Sequence, residues 1–223
     1  MIFIENRKRK IERIKLEYPT ADILDLTSKS MYAQKLSPFY PHMNIPVPNS
    51  PGYTASCVEA IWQGLKVFEH EDIDVSLFSN ATMQNIKRTE RKHGKILGHR
   101  YGVQGGEILD YFTARMQIYI PTYKYVLDNC VHNLVMKIAE RAKDHNLVFL
   151  DYNTNIDVRD TSSPLSHAGL VKLYIEGNYP SNSPELKPMT VDELNQAKQI
   201  RKEEKKQRNA KKIENNLQQE LLF

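Results

Sequence analysis

Glu59, Gln63 and Lys66 follow one another at intervals of four and three residues within the stretch Ser56-Cys57-Val58-Glu59-Ala60-Ile61-Trp62-Gln63-Gly64-Leu65-Lys66. At helical pitch, about 100° per residue, they fall in a narrow arc with Ser56 and His70, while Val58, Ile61, Trp62 and Leu65 make an apolar seam. A carboxyl group and an amine on one face, roughly 10 Å apart along the axis, could hold a sugar-sized group between an acid/base and a nucleophile. That spacing suits cleavage of a glycosidic bond. The competing reading is the solvated face of an ordinary amphipathic helix. Against it stands the preceding segment, Ser37-Pro38-Phe39-Tyr40-Pro41-His42-Met43-Asn44-Ile45-Pro46-Val47-Pro48, whose prolines and aromatics favour a rigid strap able to wall a pocket.

Three further constellations carry chemistry-bearing side chains. Lys87, Arg88, Arg91, Lys92, Lys95 and Arg100 crowd cations beside Gly94 and Gly98, a pattern that faces either phosphate or solvent. The run Leu147 to Leu150 reads as a buried strand that stops abruptly in Asp151, Tyr152, Asn153 and, further on, Asp157; it is either a site at a strand end or a plain polar turn. Asp160, Thr161, Ser162, Ser163, Ser166 and His167 lie close together, but no nucleophile-elbow pattern accompanies them, so a serine-hydrolase triad is not supported. The seven histidines show no paired ligand spacing and the two cysteines, Cys57 and Cys130, stand far apart; no metal is expected. The glycines lack the spacing of a dinucleotide fingerprint.

The elements that must position these residues are mixed. Helical patterns cover 54–69, 79–93, 106–118 and 131–144, and β-like runs cover Met1 to Ile4, Met116 to Ile120 and Leu147 to Leu150. Few, short strands predict an α+β fold, a helix-rich single domain, over an alternating doubly wound one. With 223 residues, 40% of them hydrophobic, the chain can bury one sizeable core. Residues 1–180 form the expected domain, and 181–189 a linker. Residues 190–223 are read as a charged helix or partly disordered tail, begun by the capping-box pair Thr190 and Glu193, with Leu221-Leu222-Phe223 free to dock. The net charge of +4 permits a polyanionic partner without requiring one. No run reaches membrane-spanning length and the start, with Arg7-Lys8-Arg9-Lys10, is unlike a secretory signal, so a reduced, cytoplasmic setting is expected.

In order, Ser37-Pro38-Phe39-Tyr40-Pro41, then Ser56-Cys57-Val58-Glu59 with Gln63 and Lys66, then Lys95-Ile96-Leu97-Gly98-His99-Arg100, resembles the NADAR (YbiA-like) family. Its members show an aromatic and proline near the start, a "VE...Q..K" helix and a downstream "AK..GR" element. The stretch from Leu147 to Asp157 looks like the family's last block, and the resemblance spans roughly 36 to 170. Two departures stand out. Trp62 is the single tryptophan, and the places where the family carries further tryptophans read Asp110-Tyr111-Phe112 and Asp160-Thr161-Ser162-Ser163. A stacking role would then pass to Tyr111, and the final acid stays open among Asp151, Asp157 and Asp160.

The resemblance implies a YbiA-like fold and an N-glycosidase that removes ADP-ribose from guanine bases, countering DarT-like toxins that modify DNA, as in a phage anti-defence protein or an antitoxin acting in the host cytoplasm. A related ribosyl-amine bond in a small metabolite is the alternative. No cofactor is implied. Breaking a bond between an anomeric carbon and a base nitrogen builds positive charge on the sugar and negative charge on the base, so Glu59 could protonate the leaving group or steady the sugar. Lys66, or Lys95 as second choice, could attack the anomeric carbon and form an imine if burial leaves it neutral. Gln63 would position a hydroxyl and Arg100 would face the diphosphate. Phe39, Tyr40, Trp62, Tyr111, Gly98 and Ser162 complete the expected substrate contacts. A reading of another class makes the chain a non-enzymatic binder of nucleic acid through Arg7, Lys8, Arg9, Lys10, Arg13 and Lys15 and its charged C-terminal helix.

Overall fold

The computed structural model describes residues 1–181 and 186–220 and divides into two units, Met1–Leu186 and Lys187–Phe223. The first unit is a helix-rich α+β domain with small sheets. Its central strand, β8 (Leu147–Asp151), is flanked by two parallel partners, β1 (Ile2–Asn6) and β2 (Asp22–Asp25). Buried on both faces, β8 reads as the continuous apolar run Leu147-Val148-Phe149-Leu150. Alternate residues part company: Val148 and Leu150 pack with Ile14 of helix α1 (Ile11–Glu17), while Leu147 and Phe149 join the main core. The run ends in Asp151 at the carboxyl edge of the sheet, where crevices of open parallel sheets take ligands.

The main core is closed by α5 (Ile120–Asn129), α6 (His132–Asp144) and α7 (His167–Ile175), and by an antiparallel sheet of β5 (Lys66–Phe68), β6 (Ile96–Arg100) and β7 (Ile108–Leu109). A two-stranded ribbon, β3 (Ile45–Pro46) with β4 (Thr54–Ala55), precedes α2 (Val58–Gly64). The expected strands at 1–4 and 147–150 and the expected helix at 131–144 are all present, with small changes at their ends.

Four expected elements differ, the simplest being the helix expected over 106–118, which begins only at Tyr111 because Ile108 and Leu109 pair with β6 as β7. The helix drawn over 54–69 is seven residues long and its successor is a strand; Gly64 ends it, where a Cβ would lie 2.5 Å from the Phe78 ring and 3.0 Å from the Asp74 carbonyl oxygen. The 3-10 turn Val75–Ser79 crosses there, and Val67 and Phe68 pair with β6 instead. Most of 79–93 is turns, since Met83 and Asn85 adopt positive φ and Asn80 closes a turn on Thr82; only α3 (Glu90–His93) is helical. The expected strand at Met116 to Ile120 is a π-helical turn, Arg115–Tyr119, between α4 (Tyr111–Ala114) and α5. Asp110 caps α4 through the amides of Phe112 and Thr113, so the chain is already helical, and Pro121 lacks the N–H that would bond Gln117. Burial of Ile118 and Ile120 then overrides their β preference.

In the second unit, α8 (Val191–Glu220) starts from Thr190, whose amide donates to the Glu193 carboxylate while its hydroxyl accepts from the Glu193 amide. Part of the expected linker, 182–185, and the expected docking end at 221–223 lie outside the described residues. Among the described residues, no helix is long and apolar enough to cross a membrane.

Candidate active site

Cys57 caps α2 by accepting the Ala60 amide on its sulfur, and the short helix sinks almost whole into the core. Its polar stripe is therefore buried: Glu59 is 8%, Gln63 5% and Lys66 7% exposed. Gln63 joins the other two. Its Nε2 donates to Glu59 Oε1 at 2.9 Å, and its Oε1 accepts from Lys66 Nζ at 3.0 Å and from the Arg88 amide at 3.1 Å. The amide thus has one orientation, with its oxygen toward two donors and its nitrogen toward the carboxyl group. Although Lys66 lies on β5 and not on the helix, one residue of turn at Leu65 returns it to the same stripe. Ser56 and His70 leave it: the Ser56 hydroxyl donates to the Asn80 carbonyl, and His70 is exposed.

Burial pushes the Glu59 carboxyl up from its ordinary range, against the pull of Gln63, Lys66, Lys87 and His167. Burial pushes the Lys66 ammonium down; Glu59 offsets part of this, while Arg88 and Lys87 add to it. Both shifts favour the uncharged forms, an acid that can donate and an amine that can attack. Opposite Lys66 across the sheet, His99 is held neutral, its value pushed down to about 3 by burial and by Lys66.

Glu59, Gln63 and Lys66 form the floor of a cavity of about 650 Å³, also lined by Trp62, Tyr111, Tyr119 and Phe39. Trp62 lies against His99, with ring centres 3.8 Å apart, and takes Tyr111 and Tyr119 edge-on at 5.8 and 5.6 Å. Arg115, on the π-helical turn, is fully buried; it donates to the carbonyls of Val158, Asp160 and Ser163 and to the Tyr111 hydroxyl, and sits 4.9 Å from the Tyr111 ring. It fastens the loop after β8 to the aromatic wall. Arg88 likewise spends Nη1 and Nη2 on the carbonyls of Lys66 and Asp72.

On the far wall, Asp151 closes β8 beside His167. One carboxylate oxygen faces His167 Nδ1 at 3.0 Å and accepts from the Ser166 hydroxyl at 2.7 Å and the Ala168 amide at 3.3 Å; the other accepts the Tyr152 amide. His167 Nε2 lies 2.9 Å from the Leu26 carbonyl. Burial opposes charge on both groups, but their attraction and hydrogen bonds prevail, which holds Asp151 below and His167 above the ordinary range.

The structure thus brings Glu59, Lys66, Gln63, Phe39, Trp62, Tyr111 and Asp151 together around one cavity. The other expected residues do not line it. Arg100 pairs with Asp72 at 2.5 Å, and Lys95 is an exposed side chain beside Glu69, whose carboxylate takes the Lys95 amide. Gly98 serves the sheet: a Cβ there would lie 2.3 Å from the Leu109 carbonyl oxygen. Asp160 caps the Ser162 amide and hydroxyl, and Asp157 caps the Arg159 amide, so these residues shape the loop. Tyr40 turns to His42. Of the three acids left open, only Asp151 reaches the cavity. Arg115 and Tyr119 carry no signal in the sequence, and Lys87, Arg88 and His167 stand there only within wider constellations. Lys87 and Arg88 belong to the basic run and His167 to the hydroxyl-rich cluster, signals that do not show which way a side chain faces.

No group of three His, Cys, Asp or Glu side chains able to hold a metal occurs among the described residues. Searches of the curated proteins and of the solved structures find no match. Residues 6–171 match a family of unknown function, DUF6939, and the chain belongs to that family.

Proposed function

We propose that this chain is an N-glycosidase that releases ADP-ribose from guanine bases of nucleic acid. The observation that carries the reading is the buried run Glu59, Gln63, Lys66 on the floor of a cavity rich in aromatic rings and cations. The substrate follows from the resemblance of the ordered motifs to the NADAR family, and so does the setting, reversal of a DarT-like toxin.

Neutral Lys66 attacks the anomeric carbon as the bond to the base nitrogen breaks, and the departing electron pair takes the proton of Glu59. The amine adduct opens to an imine, which water hydrolyses to free ADP-ribose and the lysine. Gln63 aims the amine and the carboxyl group at one space. Trp62, Tyr111 and Tyr119 offer ring faces and edges to a base or adenine. Glu59, Gln63 and Lys66 are too deep for a paired, stacked base, so the modified nucleotide enters extruded or from a single strand.

A small ribosyl-amine metabolite is the second reading, favoured by a cavity volume ordinary for small-molecule sites. Non-enzymatic binding through the basic start has less support, because Arg7 is paired with Asp25 and Arg9 with Glu5 and Glu17. The test is mass spectrometry of a guanine-ADP-ribosylated oligonucleotide incubated with wild type, Glu59→Gln and Lys66→Ala, each with and without borohydride. Loss of the ADP-ribose mass with wild type and not with either variant, and a borohydride-trapped adduct on wild type that Lys66→Ala lacks, is the expected pattern. An oligonucleotide untouched by all three removes the reading.

A further inference from the structure

The cations around the cavity outnumber its carboxylates. Glu59 and Lys66 answer each other through Gln63, and Asp151 answers His167, which leaves Lys87, Arg88 and Arg115 on the wall. Two of these three are already occupied. Arg88 Nη1 and Nη2 donate to carbonyls, with Glu71 at 3.6 Å behind them. The four N–H groups on Arg115 Nη1 and Nη2 meet neutral oxygens, and no carboxylate lies within 4.0 Å of its guanidinium among the described residues. Arg115 has only its Nε–H outside those four, and Arg88 keeps a buried Nε–H with no hydrogen-bond partner and one Nη2 N–H that faces Glu71, so neither presents a full fork of donors to a ligand. Lys87 differs. It is exposed at the mouth, its Nζ stands 5.6 Å over the Phe39 ring, and none of its three donors meets an acceptor among the described residues. It is also near enough to influence both Glu59 and Lys66.

We propose that the cavity is a receptor for a phosphate-bearing ribosyl ligand in which Lys87, over Phe39, is the donor that meets the phosphate while the sugar reaches toward Lys66. Arg88 and Arg115, both buried, add a fixed positive field that acts at greater strength than it would at the surface. A lysine suits this place, since its ammonium binds phosphate as a point charge and its flexible stem lets it follow the group inward. The inference rests on the glycosidase reading only for the ribosyl end. The phosphate itself can belong to a free diphosphate or to a strand, and both present the same oxygens to Lys87.

The experiment is calorimetric titration of wild type, Lys87→Gln and, as a control on α6, Lys143→Gln with ADP-ribose, with adenosine and with a short single-stranded oligonucleotide. The expected result is a loss of tenfold or more in ADP-ribose affinity in Lys87→Gln only, with adenosine unaffected. Weakening of the oligonucleotide alone also supports Lys87 as the phosphate donor and makes the strand the source of the phosphate. Unchanged affinity for both phosphate ligands, equal loss for adenosine, or no binding of either by wild type overturns the proposal. Because the titration reads binding and not turnover, binding that depends on Lys87 stands even if the glycosidase reading fails, and phosphate-ligand affinity indifferent to Lys87 sinks this proposal alone.

Discussion

His167 lies between two acceptors, with Nδ1 3.0 Å from the Asp151 carboxylate and Nε2 2.9 Å from the Leu26 carbonyl oxygen. A neutral imidazole has one donor and can satisfy only one of them, so the ring is an imidazolium. The contact ties together the end of β8, the start of α7 and the chain just beyond β2, all at the cavity.

Stability should therefore depend on pH through this ring. The folded-state value of His167 is raised, so its contribution is complete below the unfolded value of about 6.5 and fades as pH climbs through the folded one. Asp151, held low, contributes above its unfolded value of about 3.9 and loses that contribution as pH falls through the folded one. Urea unfolding at pH 6 and pH 9 should show wild type weaker at pH 9, with the difference shrinking in His167→Gln. At pH 6 the variant should lose about 3–5 kcal/mol, the cost of leaving a buried partner unpaired; a loss below ~1 kcal/mol would contradict a buried ion pair.

Glu59→Gln keeps an oxygen for Gln63 Nε2 and removes a buried acid, so its fold should survive with a stability change within about 1 kcal/mol. Turnover should fall by about 10²–10⁴, the usual contribution of one acid/base group. Single-turnover rates beside a thermal melt separate the two effects.

Gln63→Leu strands Glu59, Lys66 and the Arg88 amide at once. Unsatisfied buried groups cost about 1–3 kcal/mol each, so the variant should lose at least ~2 kcal/mol in denaturant unfolding.

Gly64→Ala places a methyl group 2.5 Å from the Phe78 ring. The strain should cost about 1–3 kcal/mol, and Phe78→Leu in the same chain should recover part of it. A double-mutant cycle on melting midpoints reads the coupling.

Arg100→Ala should leave ADP-ribose affinity unchanged within twofold, because its guanidinium is engaged by Asp72 away from the cavity. Titration of the variant beside Lys87→Gln gives the contrast.

The residues most legible in the sequence were those whose signal is local. Glu59, Gln63 and Lys66 were found by helical period, although the last stands on a strand, because a one-residue turn preserves the side it faces. Asp151 was marked by an apolar run ending in polar residues. Arg115 and His167 gave no such signal: the acceptors of Arg115 other than Tyr111 lie 43 to 48 positions away, and the Leu26 carbonyl is 141 positions from His167. Arg100 was misplaced for the converse reason, since a cation following a glycine looks the same whether an acid 28 positions back has claimed it or not. The π-helical turn escaped because period alone does not distinguish buried Ile118 and Ile120 in a helix from the same residues in a strand.

The parallel sheet has a consequence for how the molecule is made. β1 and β2 hydrogen-bond to β8 and not to each other, so the first 25 residues gain no strand partner until residues 147–151 have left the ribosome. At about 5–20 residues per second that delay lasts several seconds or more, during which two apolar strands keep bare edges. Such long loop closures make folding slow, and a nascent chain stalled before residue 147 would be a natural client for chaperones.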